Sequence, residues 1–238
     1  MTPPKILLFG KNGQLGWEAE RQLFCMGDLV ALDYPQIDFT DPLRVVAVLD
    51  EVHPDLIYNA VAYTAVDMAE SEVSKATLIN ASTPGEIAAW SQRNEAALIH
   101  FSTDYVFDGS AGRDYHEEDV PNPLNVYGRS KLEGEQAVIQ SADNAIIFRT
   151  SWVYSTRAES FLMKFLTWAR ANQELRIVDD QVGNPTWARL LAQLSIHILP
   201  NSKEKLAVFF EQFKGIYHLA GSGAASRLEW AQAILDLL

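Results

Sequence analysis

The sequence predicts an α/β protein built on one open, doubly wound parallel sheet. Three observations predict it. Short apolar runs alternate along the chain with longer helical stretches, the β-α-β-α order that gives right-handed crossovers and helices on both faces. Hydrophobic residues make up 48% of 238 residues, enough for a sizeable core. A glycine-rich turn sits between the first strand and the first helix.

Lys5 to Gly10 reads as a buried strand ending in glycine, and Gln14 to Met26 as a helix. Leu29 to Asp33 is a second strand ending in an acid. Asp41 to Val52 is a helix with Asp41 as N-cap and Pro42 in the first turn. Asp55 to Ala60 is a third strand, followed by a long helix from about Glu72 to Arg93. Ala96 to Phe101 is a fourth strand. A polar loop, Ser102 to Asn125, leads to a helix over Val126 to Gln140 and a fifth strand over Asn144 to Arg149. Beyond it the pattern predicts helices near 159–171 and 188–199, strands near 175–178 and 216–219, and a final helix from Ser226. Residues 1–150 form the expected dinucleotide-binding part. Residues 151–238 supply the remaining strands and a partial substrate-binding region that packs on the same sheet.

The net charge is −12. An acidic surface repels phosphate backbones, so nucleic acid is excluded as a general partner. The apolar run Ile6 to Phe9 is too short for a signal peptide, and no segment approaches the roughly 18 apolar residues of a membrane span. The single cysteine, Cys25, fits a reducing cytoplasm and is expected to be buried filler. The histidines show no metal-ligand spacing. Neither a G-x-S-x-G elbow nor a P-loop is present.

Gly10-Lys-Asn-Gly13-Gln-Leu-Gly16 opens the first helix. Glycines there permit a tight turn and let backbone amides approach a pyrophosphate at the helix N-terminus. This makes the expected fold Rossmann-type. Asp33 ends the second strand, where an acid meets adenosine ribose hydroxyls. A carboxylate there favours NAD, while Lys11 offers a charge to a 2′-phosphate.

Tyr127-Gly-Arg-Ser-Lys131 places a phenol and an ammonium on one helical face. The ammonium is expected to lower the phenol pKa, so that Tyr127 delivers a proton as a hydride arrives. Ser102 and Thr103 follow the fourth strand, where open α/β sheets bind ligands, and either hydroxyl can bond a substrate carbonyl. His100, inside an apolar strand, is expected to be a packed core histidine.

These segments together resemble the dTDP-4-dehydrorhamnose reductases, which are extended short-chain dehydrogenases. The resemblance runs through Ile6 to Glu18, Asn59-Ala-Val-Ala-Tyr-Thr-Ala-Val-Asp67-Met-Ala-Glu70, Ser102 to Gly109, Pro123 to Glu135, Arg149-Thr-Ser-Trp152-Val-Tyr154 and Asp180 to Ala188. It implies reduction of the 4-keto group of dTDP-4-dehydro-L-rhamnose to dTDP-L-rhamnose, with NADPH favoured and NADH accepted. It implies cofactor contacts from Gly10, Gly13, Gln14, Leu15 and Gly16, and from Asp33, Asp38 and Phe39 round the adenosine. Ala62, Tyr63 and Thr64 would follow the third strand, with an aromatic contact from Phe101. It implies Tyr127, Lys131 and Thr103 as the catalytic set, and Thr103, Asp104 and Trp152 against the sugar nucleotide. A homodimer is compatible with it. Some relatives hold Mg²⁺ through glutamates at an interface. Glu18 matches one of these, but Arg189 stands at another, so no metal site is expected.

Two other readings on the same scaffold are a non-catalytic regulatory subunit and a sugar-nucleotide epimerase or dehydratase. The intact Tyr127, Lys131 and Thr103 favour an enzyme. The substrate-side portion is expected to be shortened relative to the family. The last helix is expected to start with a capping box, Ser226 and Glu229. Its packed stripe is expected to be Leu228, Ala231, Leu235 and Leu238, with Ile234 beside it.

Overall fold

The structure is a computed structural model, and it describes residues 2–157 and 160–237. Six parallel strands form one sheet in the order β2-β1-β3-β4-β5-β9. They are β1 (Lys5–Phe9), β2 (Asp28–Leu32), β3 (Leu56–Asn59), β4 (Ala97–Thr103), β5 (Ala145–Thr150) and β9 (Gly215–His218). Their apolar runs are continuous because both faces are covered. Ile6 and Leu8 pack into one core with Tyr58, Ile99 and Phe148, while Leu7 and Phe9 pack into the other with Ile57, Leu98 and Ile147.

Helices α1 (Gln14–Leu23), α8 (Ala188–His197) and α9 (Lys203–Phe213) cover the first face with Ala19, Leu191, Ala192 and Phe210. Helices α2 (Pro42–Val52), α5 (Thr83–Arg93) and α6 (Val126–Ser141) cover the second with Val45, Leu49, Ile87, Trp90 and Val138. Asp41 caps α2 by accepting from the Arg44 amide at 3.1 Å. Two short helices, α3 (Val66–Ala69) and α4 (Val73–Thr77), precede α5.

The predicted long helix over 72–93 is interrupted by one π turn, Leu78–Ser82, between α4 and α5. Pro84 has no amide hydrogen to bond the carbonyl four residues back, that of Asn80, so the ladder loosens there. Gly134 of α6 packs against that same carbonyl, since a Cβ at Gly134 would overlap Asn80 oxygen.

A second layer lies beyond the carboxyl ends of β4 and β5. It consists of α7 (Phe161–Ala171), α10 (Arg227–Asp236) and two small sheets. One pairs β6 (Val153–Tyr154) with β8 (Thr186–Trp187), and the other pairs β7 (Val182–Gly183) with β10 (Ala225–Ser226). Their apolar centre is Phe165, Ala231 and Ile234.

Several sequence expectations need correction. No strand forms over 175–178. Leu175 and Ile177 pack on the Phe165 cluster, but no strand among the described residues pairs with them. The helix α9 was not expected, although Leu206, Phe209, Phe210 and Phe213 have helical spacing. Cys25 is exposed, because α1 ends at Leu23 and the chain turns outward. The α10 capping box is present, with Ser226 Oγ accepting from Glu229 at 3.0 Å. Its packed residues are Ala231 and Ile234, whereas Leu228 and Leu235 are exposed. Glu159 and Leu238 lie outside the described residues.

Candidate active site

The loop after β1 sits at the point where the strand order reverses, between β1 and β3. Gly10 has φ +90°, and a Cβ on it would lie 3.0 Å from the Ala60 carbonyl carbon. A Cβ on Gly16 would overlap the Gly10 carbonyl oxygen, so this glycine lets α1 rest on its own loop. Gly13 is the N-cap of α1 and brings no side chain to it, and the first helical bond runs from Trp17 N–H to Gly13 C=O. The amides of Gln14, Leu15 and Gly16 therefore have no partner within the helix, and the positive end of the helix faces the crevice. Leu15 offers only this backbone, as its side chain is in the core. The Gln14 side chain accepts from Ser155 Oγ at 2.8 Å and so ties the loop to the second layer.

Asp33 follows β2 and accepts from the Asn12 amide at 2.7 Å and the Tyr34 amide at 2.7 Å. It holds the glycine loop to the end of β2. Asp38 is exposed and accepts from the Thr40 amide, which holds its pKa below the ordinary value. Phe39 points into the core, edge-on to Phe9 at 5.2 Å, so any adenosine contact from it comes from the backbone.

Beyond β3, the Asn80 side chain clamps the chain at Tyr63. It accepts from Tyr63 N–H at 2.8 Å and donates to Tyr63 C=O at 3.0 Å and Ser130 Oγ at 2.9 Å. The Tyr63 ring is buried and its hydroxyl donates to Glu72 at 2.9 Å. Ala62 is half-buried and Thr64 exposed. Phe101 lies between Tyr58 and Phe148 in the core, at ring distances of 5.2 Å and 5.8 Å.

Thr103 ends β4 and Tyr127 opens α6, whose N-cap Asn125 accepts from the Gly128 amide at 2.7 Å. The Tyr127 phenol faces the Thr103 hydroxyl. Thr103 donates to Asp104 Oδ1 at 3.0 Å, and Ser151 Oγ donates to Asp104 Oδ2 at 2.6 Å. Burial pushes the Tyr127 pKa well above its usual value; the Thr103 hydroxyl works against this, while Asp104 and Tyr105 add to it.

The expectation for Lys131 is therefore corrected. Its ammonium donates to the Phe101 carbonyl at 2.7 Å and does not lower the phenol pKa. Lys131 itself is fully buried, and desolvation brings its pKa down to about 8 against the opposing pull of Glu135. One turn further along α6, Glu135 takes a bidentate ion pair from Arg149 of β5, at 2.9 Å and 2.7 Å. His100 is buried and bonded to Asn59 at 3.1 Å. Burial, with the Lys131 charge, holds it neutral.

The far wall of the site is aromatic. Trp152 has φ +40° and lies flat on Gly183, where any Cβ would strike its ring at 2.5 Å. Trp230 stacks on it at 5.7 Å. The Arg227 guanidinium lies over Trp152 at 3.5 Å and faces Tyr105 and Asp104. Sequence reasoning missed Asn80, Ser151 and Arg227. None carries a local signal, and Arg227 lies far along the chain from Thr103.

A family model described as the RmlD substrate binding domain matches residues 4–238. The chain is 40% identical over 232 residues to the dTDP-4-dehydrorhamnose reductase of Burkholderia thailandensis, spanning 97% of this chain and 77% of that protein. It belongs to the dTDP-4-dehydrorhamnose reductase family. The family's Escherichia coli (strain K12) reductase is 41% identical over 235 residues, again with 97% of this chain and 77% of the relative covered. A Bacillus anthracis dTDP-4-dehydrorhamnose reductase, solved in complex with NADP, superposes with a TM-score of 0.88 at 34% identity, covering all of this chain and 81% of that one.

In this reductase-family chain, Arg189 is exposed and stands over the Trp187 ring at 5.6 Å. Among the described residues, no group of three or more His, Cys, Asp or Glu side chains is placed to hold a metal ion. No helix among them is long and apolar enough to cross a membrane.

Proposed function

We propose that this chain reduces the 4-keto group of dTDP-4-dehydro-L-rhamnose with NADPH to give dTDP-L-rhamnose. The observation that carries the reading is the Tyr127 phenol facing Thr103 at the carboxyl end of β4, with a glycine loop after β1 whose helix amides are open. Relatives at about 40% identity named dTDP-4-dehydrorhamnose reductase support the substrate. The NADP complex of the Bacillus anthracis relative supports the cofactor.

The residues present fit a dinucleotide. Gly10, Gly13 and Gly16 put no side chain at three points of the loop, and the amides of Gln14, Leu15 and Gly16 can take a pyrophosphate. When bound, the dinucleotide supplies the hydride. Thr103 and Tyr127 hold the substrate ketone oxygen between two hydroxyls. Tyr127, kept protonated by burial, gives its proton to that oxygen as negative charge develops. Lys131 holds a buried cation against the Phe101 carbonyl, and it would serve the nicotinamide ribose of a bound dinucleotide. Asp104 and Trp152 border the sugar, and Trp152 offers a flat apolar face.

In this reading residues 1–150 serve as the dinucleotide-binding part and 151–238 as the substrate side. The single-cysteine, acidic chain suits the cytoplasm as its compartment. The test is isotopic. With NADPH carrying deuterium at nicotinamide C4, the product should be dTDP-L-rhamnose labelled at sugar C4. Product without label, or with label elsewhere, would refute the assignment.

A further inference from the structure

Of the stretch Asn59 to Glu70, the proposed reaction uses only Ala62, Tyr63 and Thr64. Its last residue reaches the helix of Tyr127. Glu70 caps the C-terminal end of α3, and its Oε1 accepts from the Val126 amide at 2.8 Å, across 56 residues of chain. Val126 is the first residue of α6 and Tyr127 the second. The first amides of a helix have no acceptor within it. At α6 the Asn125 side chain serves the Gly128 amide at 2.7 Å, and Glu70 serves that of Val126. A carboxylate is also a favoured partner for the positive end of a helix.

The same turn of α6 is met from a second side. A Cβ on Gly128 would overlap the Tyr105 carbonyl oxygen, so glycine lets α6 rest on the short turn Asp104–Val106 that follows Thr103. The Tyr105 ring meets the Tyr127 ring edge-on at 5.5 Å. The Tyr127 ring also shares a buried cluster with Tyr63, Ala69 and Val126, and Ala69 is the residue before Glu70. Apolar contacts of this kind are non-directional and tolerate sliding. The bond from Val126 to Glu70 is directional, and it fixes how the first turn of α6 sits on α3.

We propose that Glu70 is a positioning residue, which holds the Val126 amide and so sets the first turn of α6 where the Tyr127 phenol faces Thr103. The inference rests on Tyr127 as the proton donor in the proposed reaction. Glu70 acts through the helix and touches no reacting atom. Without its carboxylate the Val126 amide turns to water, and the first turn of α6 is free to fray. The phenol is then held less firmly in line with the ketone oxygen, where a misplacement of about 1 Å can cost about 10²-fold in rate. The glycine loop after β1 is untouched, so the dinucleotide still binds.

Three variants separate the bond from the charge. Glu70→Gln keeps an acceptor at the same reach, Glu70→Asp keeps the charge on a shorter arm, and Glu70→Ala removes both. NADPH oxidation with dTDP-4-dehydro-L-rhamnose is followed for each. In Glu70→Ala and Glu70→Asp kcat should fall by about tenfold or more, and in Glu70→Gln it should stay within about threefold of the unmodified protein. The NADPH dissociation constant, from calorimetry, should stay within about twofold in all three. Hydrogen exchange should show lost protection at Val126 in Glu70→Ala and Glu70→Asp, and native protection in Glu70→Gln. If Glu70→Ala does not fold, Glu70→Asp carries the comparison. A fall in Glu70→Gln as deep as in Glu70→Ala would mean that the charge matters and not the bond. A change confined to KM or to the unfolding midpoint would mean that Glu70 only supports the fold. Either result, or native kcat in Glu70→Ala, overturns the positioning role while leaving the reaction in place. Unmodified protein that fails to oxidise NADPH with this substrate would overturn the parent reading, and this inference with it.

Discussion

Tyr127 and Lys131 lie one turn apart on α6, yet their polar ends meet different neighbours. The Y-x-x-x-K spacing made both legible in the sequence. What it could not show is that the Phe101 carbonyl claims the ammonium, because that contact joins α6 to β4. The consequence is measurable. In the fold Lys131 sheds its proton near pH 8, while in the unfolded chain it keeps it to its ordinary value of 10.5. Between these limits the unfolded state binds more protons, so this group's contribution to stability rises with pH. Below about pH 8 both states are protonated and the desolvation penalty is present in full. Urea unfolding of Lys131→Met and the unmodified protein at pH 7 and pH 10 should therefore show the difference moving in favour of the unmodified protein as pH rises. A pH-independent difference would contradict the depressed pKa. Phe39 and Phe101 teach the same limit. Phe39 was expected round the adenosine and Phe101 as an aromatic cofactor contact, but their rings fill the core on opposite faces of the sheet.

The loop between β1 and α1 was readable because its glycines act through the backbone, and their spacing is visible without tertiary contacts. The structure ranks them. A Cβ on Gly16 overlaps the Gly10 carbonyl, whereas one on Gly13 lies 3.3 Å from it. Gly16→Ala should destabilise the fold by about 1–3 kcal/mol and weaken NADPH binding, while Gly13→Ala should keep the native unfolding midpoint. Thermal unfolding and calorimetric titration check both, and reversed ranks would contradict the packing. The π turn between α4 and α5 was not readable, although its cause, Pro84, was in view. Helical periodicity continues through it, and only the tertiary contact with Gly134 shows where the extra residue is taken up. This turn carries Asn80, which grips Tyr63 on both sides. Asn80→Ala leaves three buried polar groups without this partner, at about 1–3 kcal/mol for each left unsatisfied. It should loosen residues 61–64, which hydrogen exchange would report as lost protection at Tyr63, and raise the KM for NADPH. Unchanged protection would rule out the clamp.

At the scale of the molecule, the parallel sheet and its two helical layers followed from periodicity. The continuous apolar runs of β1, β3, β4 and β5 can only be buried on both sides. The second layer was read less well. Its strands are two residues each, too short for any alternation to show, and α7 and α10 meet through aromatic stacking rather than a regular stripe. The proposed active site lies where these two levels join. Thr103 and Tyr127 come from the sheet half, and Trp152, Ser151 and Arg227 close on them from the other. The central claim is that this junction reduces a sugar nucleotide with NADPH through Tyr127. The direct measurement is NADPH oxidation with dTDP-4-dehydro-L-rhamnose, run beside its 4-keto-D precursor and repeated with Tyr127→Phe. The account predicts oxidation with the L-sugar, little with the D-precursor, and a loss of about 10²-fold or more in turnover in the variant with NADPH affinity retained. Turnover in Tyr127→Phe close to that of the unmodified protein, or NADPH binding with no oxidation by the L-sugar, would contradict it.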